Sequence, residues 1–182
     1  GMHPHCPQGY ETFQQKPIVY STGNFLFYNE QNQDEKSAWY YGYLPVLTCQ
    51  AGKGISLEVV PYRFDPDCTR ISPFSGHEYD KIMAYLKDIS DLFQDPIVNA
   101  AYFNGWCLLY GPQNAGKLVF KSEYLQDAES ARKRDFLILR NLLTCEAHHE
   151  VMATLMRLIE NGQIESSAKM ADDIRRLQKM PV

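Results

Sequence analysis

The sequence predicts an α+β fold in which a small, mostly antiparallel sheet is followed by a helical subdomain. Short runs rich in aromatic and β-branched residues fill residues 10–62, whereas apolar residues recur at helical spacing beyond residue 75. Between them lies a stretch rich in Pro and Asp, which is typical of a linker. We therefore predict a β-rich part at residues 1–66 and a helical part at residues 67–182.

About four strands are expected before this boundary. Two short strands are predicted at Tyr10–Phe13 and Pro17–Tyr20, and a hairpin of longer strands at residues 38–49 and 55–62. Apolar and polar residues alternate in the last of these, which predicts one buried face and one partly wet face. Pro45 cannot donate to a sheet ladder, so its strand is expected at a sheet edge or at a bulge.

Local signals mark where the helices begin and end. Ser75 and Glu78 form the pattern of a capping box, and Asp95-Pro96 supplies an N-cap followed by proline at the first helical position. Gly111-Pro112 is a stop signal. The first predicted helix begins near residue 75, and others run from 96 to 110, from 123 to 143 and from 163 to 180. Residues 144–161 form either a separate helix or a kinked continuation of the one before it.

Composition excludes several classes of protein. The chain has 182 residues, of which 45% are hydrophobic and 13% aromatic, so it can bury a core. The net charge is −4 and no basic stripe is present, which argues against a nucleic-acid partner. No apolar run approaches the roughly 20 residues that span a bilayer, and no signal peptide is recognisable, so we expect no membrane segment in this chain.

The cysteines argue against a disulfide framework or a zinc ribbon. Their number is odd, their spacings are wide, and no C-x-x-C motif occurs. Reduced thiols are expected, which favours a reducing compartment and hence a cytoplasmic location for this chain. The five are Cys6, Cys49, Cys68, Cys107 and Cys145.

His3 and His5 are the closely spaced residues best suited to bind a metal. On an extended backbone both side chains of an H-x-H pair point the same way, and Pro4 between them stiffens the segment. Imidazole suits zinc, iron, manganese and copper sites, but two histidines do not complete one. Cys6 would point to the opposite face, and Glu11 could contribute only if the chain folds back.

Two other interpretations of these histidines stay open. Histidines near a chain end are often simply solvated. A free amino terminus, the next amides and His3 can also hold Cu(II) or Ni(II) in a square plane of nitrogens. That site would depend on whether Gly1 belongs to the native protein.

The segment G-x-H-P-H-x-x-Q-G-x-E, followed by K-P-I-x-Y-S-x-G-N-F-x-F, resembles the carboxy-terminal signature of the bacterial capsule-synthesis (poly-γ-glutamate biosynthesis) family. That family has the fold of calcineurin-like metallophosphatases, which are metal-dependent hydrolases of phosphoesters. Weaker similarities follow at Trp39–Gly42, Pro61–Tyr62 and Cys145–His148.

This resemblance implies a metal site. In the family's fold the histidine loop gives two ligands to a dinuclear manganese, iron or zinc centre, and His3 and His5 would take those places. Asn24 and Glu11 would support the loop rather than bind metal. The other ligands of the family come from Asp-x-His, Gly-Asp and Asn-His motifs that precede this loop, and this chain lacks them.

The resemblance thus implies that this chain is the carboxy-terminal portion of such a protein. Its sheet would be the remnant of a metallophosphatase-like sandwich. The chain alone is expected to hold no metal cofactor and to lack catalytic competence.

A second cluster of candidate ligands lies near residue 146. Glu146 and His149 are three residues apart, as are Cys145 and His148, so each pair shares a helix face. An E-x-x-H pair binds metal in helical bundles together with a second such motif from another helix, and the sequence has none. A buried polar network that fixes helix packing is the expected role.

Three functions are compatible with the sequence. The first is the incomplete metallophosphatase-like portion just described. The second is a helical interaction module that pairs with a separate amino-terminal catalytic half or with a second copy of itself, because a sheet cut in mid-domain leaves an open edge. The third is an independent metalloenzyme, which would need ligands from Glu11, His77 or His148 to converge on the histidine loop.

Overall fold

The computed structural model describes residues 4–52, 54–127, 129 and 132–182. It confirms the α+β class, with two small antiparallel sheets and five α-helices in the described chain. The chain forms two compact units. The sheet unit comprises Gly1–Asn99 with Leu177–Val182, and the helical unit comprises Ala100–Arg176.

The sheet unit contains a short hairpin and a three-stranded sheet in the order β3-β4-β5, and every pairing is antiparallel. All four predicted strands are present. The strands are β1 (Tyr10–Phe13), β2 (Lys16–Val19), β3 (Tyr41–Gln50), β4 (Gly54–Phe64) and β5 (Ile71–Pro73).

Two details of the predicted sheet are wrong. The segment Ala38–Tyr40 is a 3-10 turn rather than the start of a strand, because the Ser37 side chain accepts a hydrogen bond from the Trp39 amide and closes the turn. The predicted linker after residue 63 contains β5, a strand of three residues paired to the end of β4. So short a strand has no alternation that the sequence could reveal.

Pro45 of β3 and Pro61 of β4 lie at positions where the hydrogen-bond ladder between these two strands needs no amide donor. The Tyr43 amide donates away from β4 to the Thr22 carbonyl at 2.9 Å, and the Pro61 carbonyl accepts from Phe74 at 3.1 Å on the far side of β4. Pro45 lies two residues beyond Tyr43, so its nitrogen faces the same outer edge. The predicted edge position of this strand is confirmed.

The core of the sheet unit lies between its sheet and helix α1 (Gly76–Asp91). Ile82, Leu86 and Ile89 on one face of α1 are buried together with Tyr43 and Phe64 of the sheet. Their spacing places them on one stripe of the helix, as the sequence predicted. Ser75 is the N-cap residue, although its side chain makes no capping hydrogen bond within the described residues.

The end of the chain belongs to the sheet unit. The Ala38 amide donates to the Gln178 carbonyl at 3.0 Å, and the Met180 amide donates to the Lys36 carbonyl at 2.8 Å. The Met180 side chain is only 4% exposed and is part of the same core. The tail is therefore a structural element of the sheet unit.

The predicted start of the second helix is confirmed. One carboxylate oxygen of Asp95 accepts hydrogen bonds from the amides of Ile97 and Val98, at 2.8 and 3.3 Å. The predicted stop at Gly111-Pro112 is wrong, because the helix continues to Ala115. Gly111 is buried against the Leu155 side chain, so tertiary packing holds the last turn despite the proline.

The other helices differ from prediction mainly at one place. The third helix begins at Arg134 rather than near residue 123, and Ser122–Leu125 forms only a 3-10 turn. Cys145 has extended torsion angles and separates the third helix from the fourth. The remaining helices are α2 (Pro96–Ala115), α3 (Arg134–Thr144), α4 (Glu146–Glu160) and α5 (Ile164–Leu177).

The boundaries of the two compact units differ from the predicted domain ranges, which are residues 1–66 and 67–182. Helix α1 lies in the sheet unit because its apolar stripe is buried in the core there. The predicted domain ranges stay a prediction about domain organisation. None of the described helices combines the length and the apolar character needed to cross a membrane.

Candidate metal-ligand loop

The loop predicted to bind metal is described from Pro4 onward, so His3 lies outside the described residues. His5 has a φ of 57°, in the left-handed region that non-glycine residues rarely adopt. The predicted extended backbone is therefore wrong at this residue. Such a conformation persists only where the surroundings hold it, and here the carbonyl of His5 is held by Asn24.

Asn24 is the buried residue that organises the loop. Its side chain is bonded to His5 in two places, through the ring nitrogen Nδ1 at 2.8 Å and the backbone carbonyl at 3.1 Å. A third bond runs from its amide nitrogen to the Trp39 carbonyl at 3.1 Å. Asn24 is 5% exposed. One side chain thus joins the histidine loop to the turn that precedes β3.

Aromatic rings enclose the imidazole of His5. The ring stacks on Trp39 with centroids 4.9 Å apart and an interplanar angle of 16°, and Phe27 meets it edge-on, also at 4.9 Å. The Trp39 indole donates to the Phe27 carbonyl at 2.9 Å, which fixes both rings. Sequence reasoning did not assign Trp39 or Phe27 to the site. The signals that pointed there were the weak family similarity at Trp39–Gly42 and, for Phe27, its place at the end of the K-P-I-x-Y-S-x-G-N-F-x-F segment.

Two glycines allow the backbone to approach closely beside Asn24. Gly23 has a φ of 79°, and a Cβ there would lie 2.4 Å from the Tyr41 carbonyl oxygen. A Cβ on Gly42 would lie 2.4 Å from the Tyr62 hydroxyl oxygen. That hydroxyl donates to the Asn24 carbonyl at 2.9 Å. The S-x-G-N segment therefore depends on glycine for its geometry.

Glu11 lies on β1, opposite Ile18 of β2. Its carboxylate accepts a hydrogen bond from the Tyr20 hydroxyl, and this bond, more than any other cause, raises the pKa of Tyr20. Among the described contacts there is none between Glu11 and His5. Glu11 braces the β1–β2 hairpin in this structure, and its support of the histidine loop stays a prediction.

Cys6 follows His5 in the loop and has a neutral thiol. Its side chain packs against the core of the sheet unit, and burial raises the pKa of the thiol to about 11. This environment favours the neutral thiol.

The second predicted cluster forms the first turn of α4. The amides of His148 and His149 both donate to the Cys145 carbonyl, at 3.1 and 2.9 Å. Within the described ranges, no group of three or more His, Cys, Asp or Glu side chains is placed to hold a metal ion. This cluster therefore forms no metal site among those residues, and the set Glu11, His77 and His148 stays a prediction.

The donor set fits a divalent metal only in part. Hydrogen bonding at Nδ1 leaves Nε2 of His5 as the nitrogen that can bind a ligand, and an imidazole held in this way is typical of metal sites. The described residues supply no closed ligand set around it.

Comparison with known proteins gives a family match over part of the chain. The model of the family "Bacterial capsule synthesis protein PGA_cap" matches residues 1–29. This segment contains both histidines and Asn24, whereas Trp39, Gly42 and Tyr62 lie beyond it. No curated protein matches the chain. No solved structure matches it either.

Proposed function

We propose that this chain is a member of the bacterial capsule-synthesis family, with residues 1–29 as its histidine loop. The observation that carries the proposal is the family match over this segment, together with the bonded pair of His5 and Asn24 inside it. The contacts of Trp39, Gly42 and Tyr62 with this segment support it further. They extend the resemblance to positions outside the match.

In this proposal His3 and His5 are ligands of a divalent metal of the manganese, iron or zinc type. Such a centre, when bound, polarises a phosphoryl oxygen and lowers the pKa of a bound water. Carboxylate and asparagine ligands would come from the motifs that precede the histidine loop in the family. This chain would then be the carboxy-terminal portion of a metallophosphatase-like protein, and it would not be catalytically competent alone.

Metal binding tests the ligand assignment. Calorimetric titration with Zn²⁺ should show weak binding to the chain, and His5→Ala should weaken it by about 10-fold or more. The α-amino group is acetylated in every sample, which removes the copper- or nickel-type site at the amino terminus. His77→Ala, an exposed position on α1, is the matched control and should change nothing. Binding that is indifferent to His5→Ala would contradict the assignment.

Hydrolysis tests catalytic competence. With Mn²⁺ or Zn²⁺ added, this chain should not hydrolyse a generic phosphoester above the rate of the metal alone. Hydrolysis that disappears in the His3→Ala variant would show a complete site and would overturn this part of the proposal.

A second candidate is an interaction module, favoured by the outer half of the β3–β4 hairpin. Leu44, Val46 and Leu47 of β3 are about half exposed, and Leu47 is exposed by 54%. Beyond Tyr43 the outer edge of β3 has no partner strand in the described chain. An apolar ribbon with an open edge is typical of a surface that pairs with another chain.

Light scattering after size-exclusion chromatography tests this second candidate. Self-pairing through the ribbon predicts a dimer whose population rises with concentration and falls in a Leu47→Lys variant. Met156→Lys, an exposed apolar position on α4, is the control. A chain that remains strictly monomeric at high concentration would count against this candidate.

A further inference from the structure

We infer that Asn24 is a positioning residue that fixes the tautomer of His5, holding the proton on Nδ1 and leaving the lone pair on Nε2. The relevance of this tautomer to metal binding rests on the proposed function. The tautomer itself rests only on the geometry of the loop.

The hydrogen bonds of the Asn24 side-chain amide allow only one orientation. Its nitrogen lies 3.1 Å from two backbone carbonyl oxygens, those of His5 and Trp39, and a carbonyl oxygen can only accept. Rotating the amide by half a turn would place its oxygen against both acceptors and leave two buried contacts repulsive. The amide nitrogen must therefore face the carbonyls, and the amide oxygen must face His5.

That orientation of the Asn24 amide fixes the position of the proton on the His5 ring. The Asn24 amide oxygen lies 2.8 Å from Nδ1 of His5, and an amide oxygen cannot donate. Nδ1 must then carry the proton and donate it. In the neutral ring this leaves Nε2 without a proton, as an acceptor or a metal ligand. Stacking on Trp39 keeps the ring from rotating out of the arrangement.

The hydrogen-bonding partners at position 24 explain why this residue is asparagine. The position requires one acceptor for the imidazole and two donors for the carbonyls, within a short side chain 5% exposed to solvent. Aspartate offers acceptors without donors, and serine offers a single donor. Asparagine alone among short side chains meets all three demands.

The ligand class follows from the free nitrogen. A neutral imidazole with Nδ1 bonded to an oxygen and Nε2 free is the form that binds divalent transition metals such as Zn²⁺. Asn24 would therefore raise metal affinity without touching the ion.

The experiment is a two-bond ¹H–¹⁵N correlation spectrum of the metal-free, ¹⁵N-labelled chain at about pH 8, above the ordinary histidine pKa of about 6.5. His5 is assigned from its missing signals in His5→Gln. The wild-type spectrum should show the Nδ1–H tautomer. Asn24→Ala should give a mixture of both tautomers, because no side-chain acceptor then faces Nδ1 of His5.

A matched control separates tautomer selection from general support of the loop. Tyr62→Phe removes the hydroxyl that binds the Asn24 backbone carbonyl and leaves the side chain of Asn24 in place. This variant should unfold at lower denaturant concentration yet keep the Nδ1–H tautomer. Competition with a chromophoric chelator should then show Zn²⁺ affinity reduced about 10- to 100-fold in Asn24→Ala and nearly unchanged in Tyr62→Phe.

The outcomes separate this inference from the proposed function. An Nε2–H signal for His5 in the wild-type chain overturns the inference even if Zn²⁺ binds, and that result needs no variant to fold. An Nδ1–H signal without any Zn²⁺ binding upholds the inference and counts against the proposed function. A tautomer lost equally in Asn24→Ala and Tyr62→Phe would reduce Asn24 to a structural role and overturn the inference.

Discussion

At the scale of single residues, tyrosine hydroxyls hold the backbone segments around the core of the sheet unit. Tyr43 donates to the Gln8 carbonyl and Tyr62 to the Asn24 carbonyl, both at 2.9 Å. Tyr85 donates to the carbonyl of Leu177 at the same distance. A tyrosine suits this role because its ring fills the core while its hydroxyl reaches a backbone acceptor. The histidine loop is thus positioned by the aromatic core beneath it.

These hydroxyls predict that stability falls at high pH. Burial raises the pKa of Tyr62 to about 12, and it also raises the pKa values of Tyr43 and Tyr85. An unfolded tyrosine ionises near its ordinary pKa of about 10, so above that pH the folded chain holds more protons than the unfolded one. These tyrosines should therefore contribute their full stabilisation below about pH 10. The free energy of unfolding should decrease as the pH rises above about 10 toward the pKa values of the folded state.

Urea unfolding at about pH 8 and about pH 10.5 measures this effect. The unfolding midpoint should be lower at the higher pH. Tyr62→Phe should show a smaller decrease, because it removes one of the groups that titrate. Equal midpoints at both pH values would mean that these hydroxyls ionise as readily in the fold as outside it.

At the scale of elements, the β1–β2 hairpin closes with an unusual turn. Gln14 and Gln15 connect Phe13 to Lys16, and both have positive φ values, 47° and 63°. A two-residue hairpin turn of this type favours Asn-Gly, because other residues lose about 1–2 kcal/mol each in the left-handed region. The hairpin forms because its strands are held by the rest of the sheet unit.

Replacing Gln14 by Asn and Gln15 by Gly should therefore stabilise the protein. We expect a gain of about 1 kcal/mol, limited by the greater freedom of glycine in the unfolded chain. Thermal unfolding followed by circular dichroism measures it. The control is Gln126→Gly, at a residue with a φ of −95°, which should give no gain. An unchanged or lower melting temperature of the double variant would argue against the positive φ values.

A second element-scale feature is the close packing of α2 within the helical unit. Gly105 is buried, and a Cβ there would lie 2.6 Å from the Met170 Cβ and 2.7 Å from the Ala171 backbone nitrogen. These atoms belong to α5 and cannot move aside as the tip of a flexible side chain could. The glycine thus sets how near the two helices approach.

Gly105→Ala should destabilise the protein although alanine favours helix by about 1 kcal/mol. Overpacking of this kind costs about 1–3 kcal/mol, so a net loss is expected. Chemical denaturation measures it. Gly116→Ala, where the nearest atoms are 3.7 Å away, is the control and should be close to neutral. Stabilisation by Gly105→Ala would show that α5 can move away to make room for the added methyl group.

At the scale of the whole molecule, the helical unit lies in sequence between two parts of the sheet unit. The chain leaves the sheet unit after Asn99 and returns to it at Leu177. The returning tail supplies Met180 to the core and pairs with the segment that precedes β3. Residues 177–182 are consequently part of the sheet unit and of its core.

Met180→Ala should destabilise the sheet unit by about 2–5 kcal/mol, the range found for removing a large buried side chain. The near-ultraviolet circular dichroism of its many tyrosines can follow the unfolding. Met156→Ala is the matched control, because Met156 is 58% exposed and Met180 only 4%. Similar losses in both variants would contradict the assignment of the tail to the core.

The sequence revealed the site residues that lie within one recognisable segment, but not the contacts between residues far apart in the chain. His5 and Asn24 could be picked out because the segment containing them resembles a known family, and the family match covers the same residues. Their mutual hydrogen bonds could not be derived, since 19 residues separate them and no periodicity encodes such a contact. Trp39 and Tyr62 were missed as site residues for the same reason.

The sequence by itself determined what depends on neighbours along the chain. It determined the α+β class, the Asp95-Pro96 helix start and the edge position required by Pro45. Each of these follows from a repeat or from the chemistry of one or two adjacent residues.

Tertiary structure alone decided the rest. It decided the left-handed backbone of His5, the continuation of α2 through Pro112, the three-residue strand β5 and the return of the tail to the core. In each case the local preference is weak or unfavourable, and contacts with residues distant in sequence supply the stabilisation that overrides it.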